Sequence, residues 1–119
     1  MSDCLFCKIV NKEIPANIVY EDKEILAFKD INPQMPVHIL VIPKKHIESI
    51  SKLEKEDELL VGKIFTTIRR ITNELGIESE GYRVISNCGK NAGQTVNHIH
   101  FHILAGKKMT DKVIWMWGL

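Results

Sequence analysis

Long hydrophobic runs are missing from this chain of 119 residues: none approaches the about 20 residues that a membrane-spanning helix needs. An excess of charge is missing too. The formal net charge is +1, which argues against nonspecific attachment to nucleic acid or to an anionic membrane. Cysteine is scarce and odd in number, with three in the chain, which argues against a secreted disulfide framework. The opening residues Met1 to Lys8 lack a basic region followed by a long apolar stretch, so no signal peptide is expected. These absences together predict a cytoplasmic protein, in which Cys4 and Cys7 are metal ligands or free thiols. No repeat, low-complexity tract or Ser/Gly linker divides the sequence, so residues 1–119 are expected to form a single domain.

What is present is an ordinary globular balance, with 45% hydrophobic and 26% charged residues. Cys4 to Asn11 reads as a short helix or turn closed before Pro15. Ile18 to Glu21 and Ile25 to Phe28 predict a hairpin around the polar turn Asp22-Lys23. Asp30-Ile31-Asn32-Pro33 reads as a turn, because Asn before Pro disfavours helix. Val37 to Ile42 is apolar almost throughout, which predicts a central strand buried on both faces. One long helix is expected next, with Ser51 and Glu54 as a capping box and Leu60, Ile64, Ile68, Ile71 and Leu75 as its apolar stripe. Gly76 is its stop, and Lys55, Glu56, Lys63, Arg69 and Arg70 form the solvated side. Strands are predicted over Tyr82 to Asn87 and Asn97 to Ala105, with a glycine-bearing loop between. Strands, one helix and strands again, without βαβ alternation, give an antiparallel α+β domain.

The run His98-Ile99-His100-Phe101-His102 carries the chemistry. On a strand, residues two apart share a face and lie about 6.6 Å apart, so the three histidines project to one side. Buried imidazoles in a row must find several hydrogen-bond partners, which makes a purely structural role costly. A His-x-His pair can converge on zinc, whereas His98 and His102 start about 13 Å apart and hardly share one ion. The alternative chemistry is phosphoryl or nucleotidyl transfer, since imidazole is a good nucleophile and shuttles protons near its pKa of about 6.5. Gly89, Gly93, Gln94 and Thr95 just upstream permit close backbone approach and supply donors, which favours a phosphate ligand. Cys4-Leu5-Phe6-Cys7 has a metal-type spacing, although two ligands do not close a tetrahedral site.

His98-Ile99-His100-Phe101-His102-Ile103-Leu104 resembles the histidine triad (HIT) signature of alternating histidines and apolar residues. Cys4 to Ile9, Phe28 to Gln34, His38 through His46, and Gly93-Gln94-Thr95 are similar to the Hint branch, whereas the segment after about Met109 does not match. The resemblance implies a HIT-like fold: an antiparallel sheet of about five strands, one long helix and a short N-terminal helix. It also implies a hydrolase or phosphoramidase acting on purine nucleoside monophosphates (AMP or GMP type), working as a homodimer without a catalytic cofactor.

By position, His100 is the nucleophile that forms a nucleotidyl-histidine, with His102 on the phosphate and His98 orienting the site. His38 matches a fourth histidine near the triad, and Thr95 stands where a serine usually donates to phosphate or leaving group. Asp30 matches the carboxylate that accepts from the ribose hydroxyls. Phe6, Ile9, Phe28 and Ile31 correspond to the base pocket, while Asn87, Gly93 and Gln94 complete the nucleotide contacts. Similar bacterial proteins hold structural zinc with the residues that here are Cys4, Cys7, His46 and His98. The third motif histidine favours hydrolysis over transfer to a sugar phosphate. Fhit-like hydrolysis of dinucleoside polyphosphates and a non-catalytic nucleotide-binding module are the alternatives. Trp115 and Trp117 either shape specificity or pack a dimer, and Cys88 matches no functional position.

Overall fold

The sequence folds around a sheet whose central strand is apolar on both sides. The structure, a computed structural model, describes residues 3–109. Five strands, β1 (Ile18–Glu21), β2 (Ile25–Lys29), β3 (Val37–Pro43), β4 (Arg83–Ile85) and β5 (Phe101–Ala105), lie in the order β1-β2-β3-β5-β4. Every neighbouring pair is antiparallel. The β1–β2 hairpin is closed by Asp22, whose Oδ1 accepts from the N–H groups of Glu24 and Ile25 at 2.8 Å each. With β3 central and apolar, its residues from His38 onward are all buried, as its composition requires.

The two faces of the sheet have different covers. Ile25, Ala27, Ile39, Val41, Ile99, Phe101 and Ile103 pack with Ile64, Ile68 and Ile71 of the long helix α2 (Glu58–Glu74). The stripe on α2 also includes buried Thr67 and Thr72, while Leu75, expected inside, is exposed at the C-cap. Gly76, at φ 71°, ends α2: its N–H reaches the Asn73 carbonyl, and the Ile77 N–H reaches the Thr72 carbonyl. On the opposite face, the short helix α1 (Leu5–Val10) sets Phe6 and Ile9 over Leu26, Phe28, Leu40 and Ile42. That helix is shorter than the sheet is wide, so it leaves the His100 and His102 end for a cleft.

Three boundaries differ from expectation. The Asp57 carboxylate, not a Ser51–Glu54 pair, caps the turn before α2, accepting from the Glu54 N–H at 2.9 Å. β4 has three residues rather than running from Tyr82 to Asn87, and β5 starts at Phe101 rather than Asn97. Pairing stops at Ile85 opposite His102 because the Ser86 hydroxyl donates to the His100 carbonyl at 2.8 Å, where a ladder amide would otherwise stand. Among the described residues no helix is long and apolar enough to cross a membrane.

Candidate functional site

Alternation survives although the ladder does not extend to His98. Ile99, Phe101 and Ile103 face the α2 core, and His98, His100 and His102 are buried on the α1 side. The three rings have three different sets of partners, and these partners fix where each proton sits.

His100 Nδ1 lies 2.8 Å from the His98 carbonyl, which only accepts, so Nδ1 carries the proton and Nε2 keeps its lone pair. Phe6 meets the His100 ring edge to face, with centroids 5.2 Å apart, and fixes its plane. Burial pushes the His100 pKa below its ordinary value, and that favours the neutral, nucleophilic form.

His38 orders the third ring. The Gln34 N–H donates to His38 Nδ1 at 3.0 Å, which leaves the His38 proton on Nε2. That nitrogen lies 2.9 Å from His102 Nδ1 and 3.3 Å from Asp30 Oδ2. A proton on His102 Nδ1 would oppose the His38 donor, so His102 is the Nε2–H tautomer and points a donor away from His38. Burial, then His100 and His38, pushes His102 down to about 3, and burial likewise lowers His38.

Asp30, His38 and His102 also form a cluster of metal-type side chains. A cation on His38 Nε2 would need that nitrogen unprotonated, with the proton moved to Nδ1 against the Gln34 N–H. The backbone therefore makes this cluster a hydrogen-bonded chain.

The other cluster has the opposite character. His98 is fully buried, and its Nε2–H donates to the Pro43 carbonyl at 2.8 Å. Its Nδ1 lone pair lies 3.2 Å from His46 Nδ1, 3.4 Å from Cys4 Sγ and 3.6 Å from Cys7 Sγ. Cys7 Sγ is 3.3 Å from His46 Nδ1. Zn–S near 2.3 Å and Zn–N of about 2.0–2.1 Å on a tetrahedron give N···N near ~3.3 Å and S···N near ~3.5 Å. The four side chains fit that ion closely. The Cys7 N–H donates to Cys4 Sγ at 3.3 Å, which fixes that sulfur beside the other three groups. Burial, then Cys4, pushes the Cys7 thiol up to about 11, an arrangement that a cation between the sulfurs would reverse.

His100 and His102, by contrast, line a ligand-sized cleft of about 670 Å³ together with Phe6, Ile9, Phe28 and Asp30 among others. A smaller lobe of about 250 Å³ shares Asp30, Thr95, His100 and His102 and adds Asn87 and Gly93. Phe6, Ile9 and Phe28 thus serve core and cleft together, and Ile31, 91% exposed, stands at the rim. Asp30, His100 and His102 stand where the two lobes meet; Phe6, Ile9 and Phe28 make the larger apolar, and His38, Asn87 and Gly93 belong to the smaller.

Gln94 is used differently. Its Oε1 accepts from the Gly89 N–H at 2.8 Å, and its Nε2 donates to the Glu48 and Val96 carbonyls at 2.8 and 3.0 Å. The amide is spent on bracing the loop that presents Gly93 and Thr95. Ser86, the Gln34 N–H and the Pro43 carbonyl escaped sequence reading, two of them because backbone groups leave no mark on residue identity. Cys88 lies 3.2 Å from the Ser51 hydroxyl, and hydrogen bonds from Ser51, then Ser49, pull its thiol down to about 7. Trp115 and Trp117 lie outside the described residues.

Comparison with known proteins agrees with this geometry. The HIT domain model matches residues 11–109. An uncharacterised HIT-like protein of Rickettsia prowazekii is 49% identical over 106 residues, 88% of each chain. A histidine triad protein from Clostridium difficile superposes with a TM-score of 0.91 at 50% identity, covering 93% of this chain and 96% of that one. A HIT family hydrolase from Legionella pneumophila gives a TM-score of 0.91 at 46% identity, covering 92% and 98%.

Proposed function

The chain belongs to the HIT domain family, and on that premise we propose that it hydrolyses purine nucleoside monophosphate derivatives, phosphoramidates foremost, through a nucleotidyl-His100 intermediate. The observation that carries this reading is the His100 Nδ1–H bond to the His98 carbonyl, which leaves Nε2 unprotonated in a ring lining the cleft. Nε2 attacks the α-phosphorus, forming a P–N bond to the ring as the P–N bond to the substrate amine breaks. The amine leaves with the bonding pair and a proton from solvent or a cleft donor.

The ring is then cationic, and its Nδ1–H still donates to the His98 carbonyl, which stabilises the charge. Water attacks next, releasing the nucleoside monophosphate and a proton and restoring neutral His100. His102 donates from Nε2 to a phosphate oxygen, with His38 behind it, and Thr95 donates to phosphate or leaving group. Asp30 accepts from the ribose, and Phe6, Ile9, Phe28 and Ile31 hold the base. Asn87 and the Gly93 backbone complete the phosphate side.

Cys4, Cys7, His46 and His98 would hold a structural zinc, closed to substrate, that ties α1 to the catalytic segment. The protein would act as a homodimer in the reducing cytoplasm. Support for self-association comes from the edge of β4, which no strand pairs among the described residues, and from the side chains Leu59, Phe65 and Tyr82, exposed among those residues.

Turnover of adenosine 5′-phosphoramidate and diadenosine tetraphosphate by wild type and His100→Ala tests the reading. Faster phosphoramidate hydrolysis, abolished in His100→Ala, is expected. Preference for the dinucleotide would transfer the reading to polyphosphate hydrolysis, and nucleotide binding without turnover would overturn catalysis.

A further inference from the structure

His98 to His100 sit outside the β-ladder, which begins at Phe101. No sheet amide therefore holds the carbonyl of His98, the atom on which the His100 tautomer depends. Three other attachments hold this stretch. The Ile99 N–H donates to the Ile47 carbonyl at 2.6 Å, next to the His46 ligand. The Ser86 hydroxyl donates to the His100 carbonyl at 2.8 Å. The His98 ring is fixed at both nitrogens, by the Pro43 carbonyl and by the Cys4–Cys7–His46 cluster. His98 thus has no ring nitrogen left for substrate.

We infer that His98 is a positioning residue that couples metal occupancy to the nucleophile, its ligated ring holding the backbone carbonyl that keeps His100 in the Nδ1–H form. The inference rests on the hydrolytic reading for its consequence in rate, but not for its consequence in ring chemistry. Without a cation, the sulfurs of Cys4 and Cys7 and the nitrogens of His46 and His98 have only one another as partners on that side. The His98 ring is then held by the Pro43 carbonyl and by weak thiol and imidazole hydrogen bonds in place of a metal bond, a looser anchor for its backbone. If the carbonyl swings away, the His100 proton redistributes between both nitrogens, and the fraction with an Nε2 lone pair falls. Phe28 on β2 and Asp30 just after it do not depend on this carbonyl, whereas Phe6 and Ile9 ride on α1, which the same metal ties down. The expected signature is therefore loss of the single His100 tautomer, accompanied by a fall in kcat.

The test records long-range 1H–15N spectra of the histidine rings in zinc-loaded and chelator-stripped protein at one pH, with circular dichroism to follow the fold. Zinc-loaded protein is expected to give His100 as a single Nδ1–H tautomer. Stripped protein should lose that population while staying folded, and kcat for adenosine 5′-phosphoramidate should fall about 10–100-fold, the usual cost of removing a supporting residue. If stripping unfolds the chain, His46→Asn, which removes one half-buried ligand, is measured in the same way. A folded, metal-free protein that keeps the His100 tautomer overturns the inference. So does loss of the fold in both preparations, since the metal would then support the whole domain. If the zinc-loaded protein shows the tautomer but turns over no phosphoramidate, the hydrolytic reading fails and the coupling stands.

Discussion

His38 Nε2 lies 2.9 Å from His102 Nδ1, and that contact sets the direction of a hydrogen-bond chain starting at the Gln34 N–H. Because a backbone amide can only donate, every proton along Gln34, His38 and His102 has one place to be. The end of the chain, His102 Nε2–H, becomes a fixed donor in the lining of the cleft. His100 is fixed the opposite way by a carbonyl that can only accept. Neighbouring imidazoles, with centroids 5.1 Å apart, are thus made into an Nε2 donor and an Nε2 lone pair by backbone groups.

Burial of His102 makes the fold sensitive to acid. Its folded pKa is pushed down to about 3, against about 6.5 for a free imidazole. The unfolded chain takes up a proton near 6.5 while the folded chain does not. The contribution to stability is therefore complete above about 6.5 and is lost as pH falls from there toward 3. Urea unfolding of wild type and His102→Asn from pH 7 to 4 should show a shallower slope in the variant, by up to about 1.4 kcal/mol per pH unit. Equal slopes would place the His102 ring in water.

The two kinds of cysteine should be separated by alkylation. Cys88, pulled down to about 7 by Ser51 and Ser49, should react with iodoacetamide at neutral pH, with a rate that rises through a midpoint near 7. Cys7, buried and pushed up to about 11, should lag far behind in metal-free protein. Peptide mass mapping over time reads both sites. Preferential labelling of Cys7 would contradict the packing around α1.

Gln94 makes its three hydrogen bonds within the protein, so its removal should loosen the loop rather than delete a substrate contact. Gln94→Ala is expected to cost about 1–2 kcal/mol in urea unfolding and to raise KM through Gly93 and Thr95. A weaker substrate affinity with no loss of stability would instead identify Gln94 as a direct ligand.

Gly106 follows β5 with φ 110°, and a Cβ there would stand 2.7 Å from Pro36 Cβ. Gly106→Ala should lower stability by about 2 kcal/mol or more, because the backbone strain and the clash with a rigid ring add. Thermal unfolding checks this, and an unchanged midpoint would contradict the close approach of the Gly106 backbone to the Pro36 ring.

The fold was legible in the sequence wherever one residue type repeated at a fixed period. The Val37 to Ile42 run, the Ile64–Ile68–Ile71 stripe and Gly76 each took their expected places. The alternation at residues 98–103 correctly separated core from site, even though the ladder covers only part of it. What the sequence did not disclose is who holds the rings. Gln34 N–H, Pro43 carbonyl and His98 carbonyl are backbone groups, brought into place by chain path alone. Ser86 replaces a ladder amide, and Ser51 turned from a cap toward Cys88. Gln94 sits where a phosphate donor was expected, yet its amide is used up on carbonyls and an N–H of the loop.

The proposed chemistry turns on His100, and its most direct measurement is the rate of adenosine 5′-phosphoramidate hydrolysis by His100→Ala beside wild type. A fall of about 10³-fold or more, in protein that folds and still binds AMP, is predicted for the loss of the covalent nucleophile. A rate within about tenfold of wild type would contradict it, since a difference below roughly 1.4 kcal/mol is too small for the group that forms the bond.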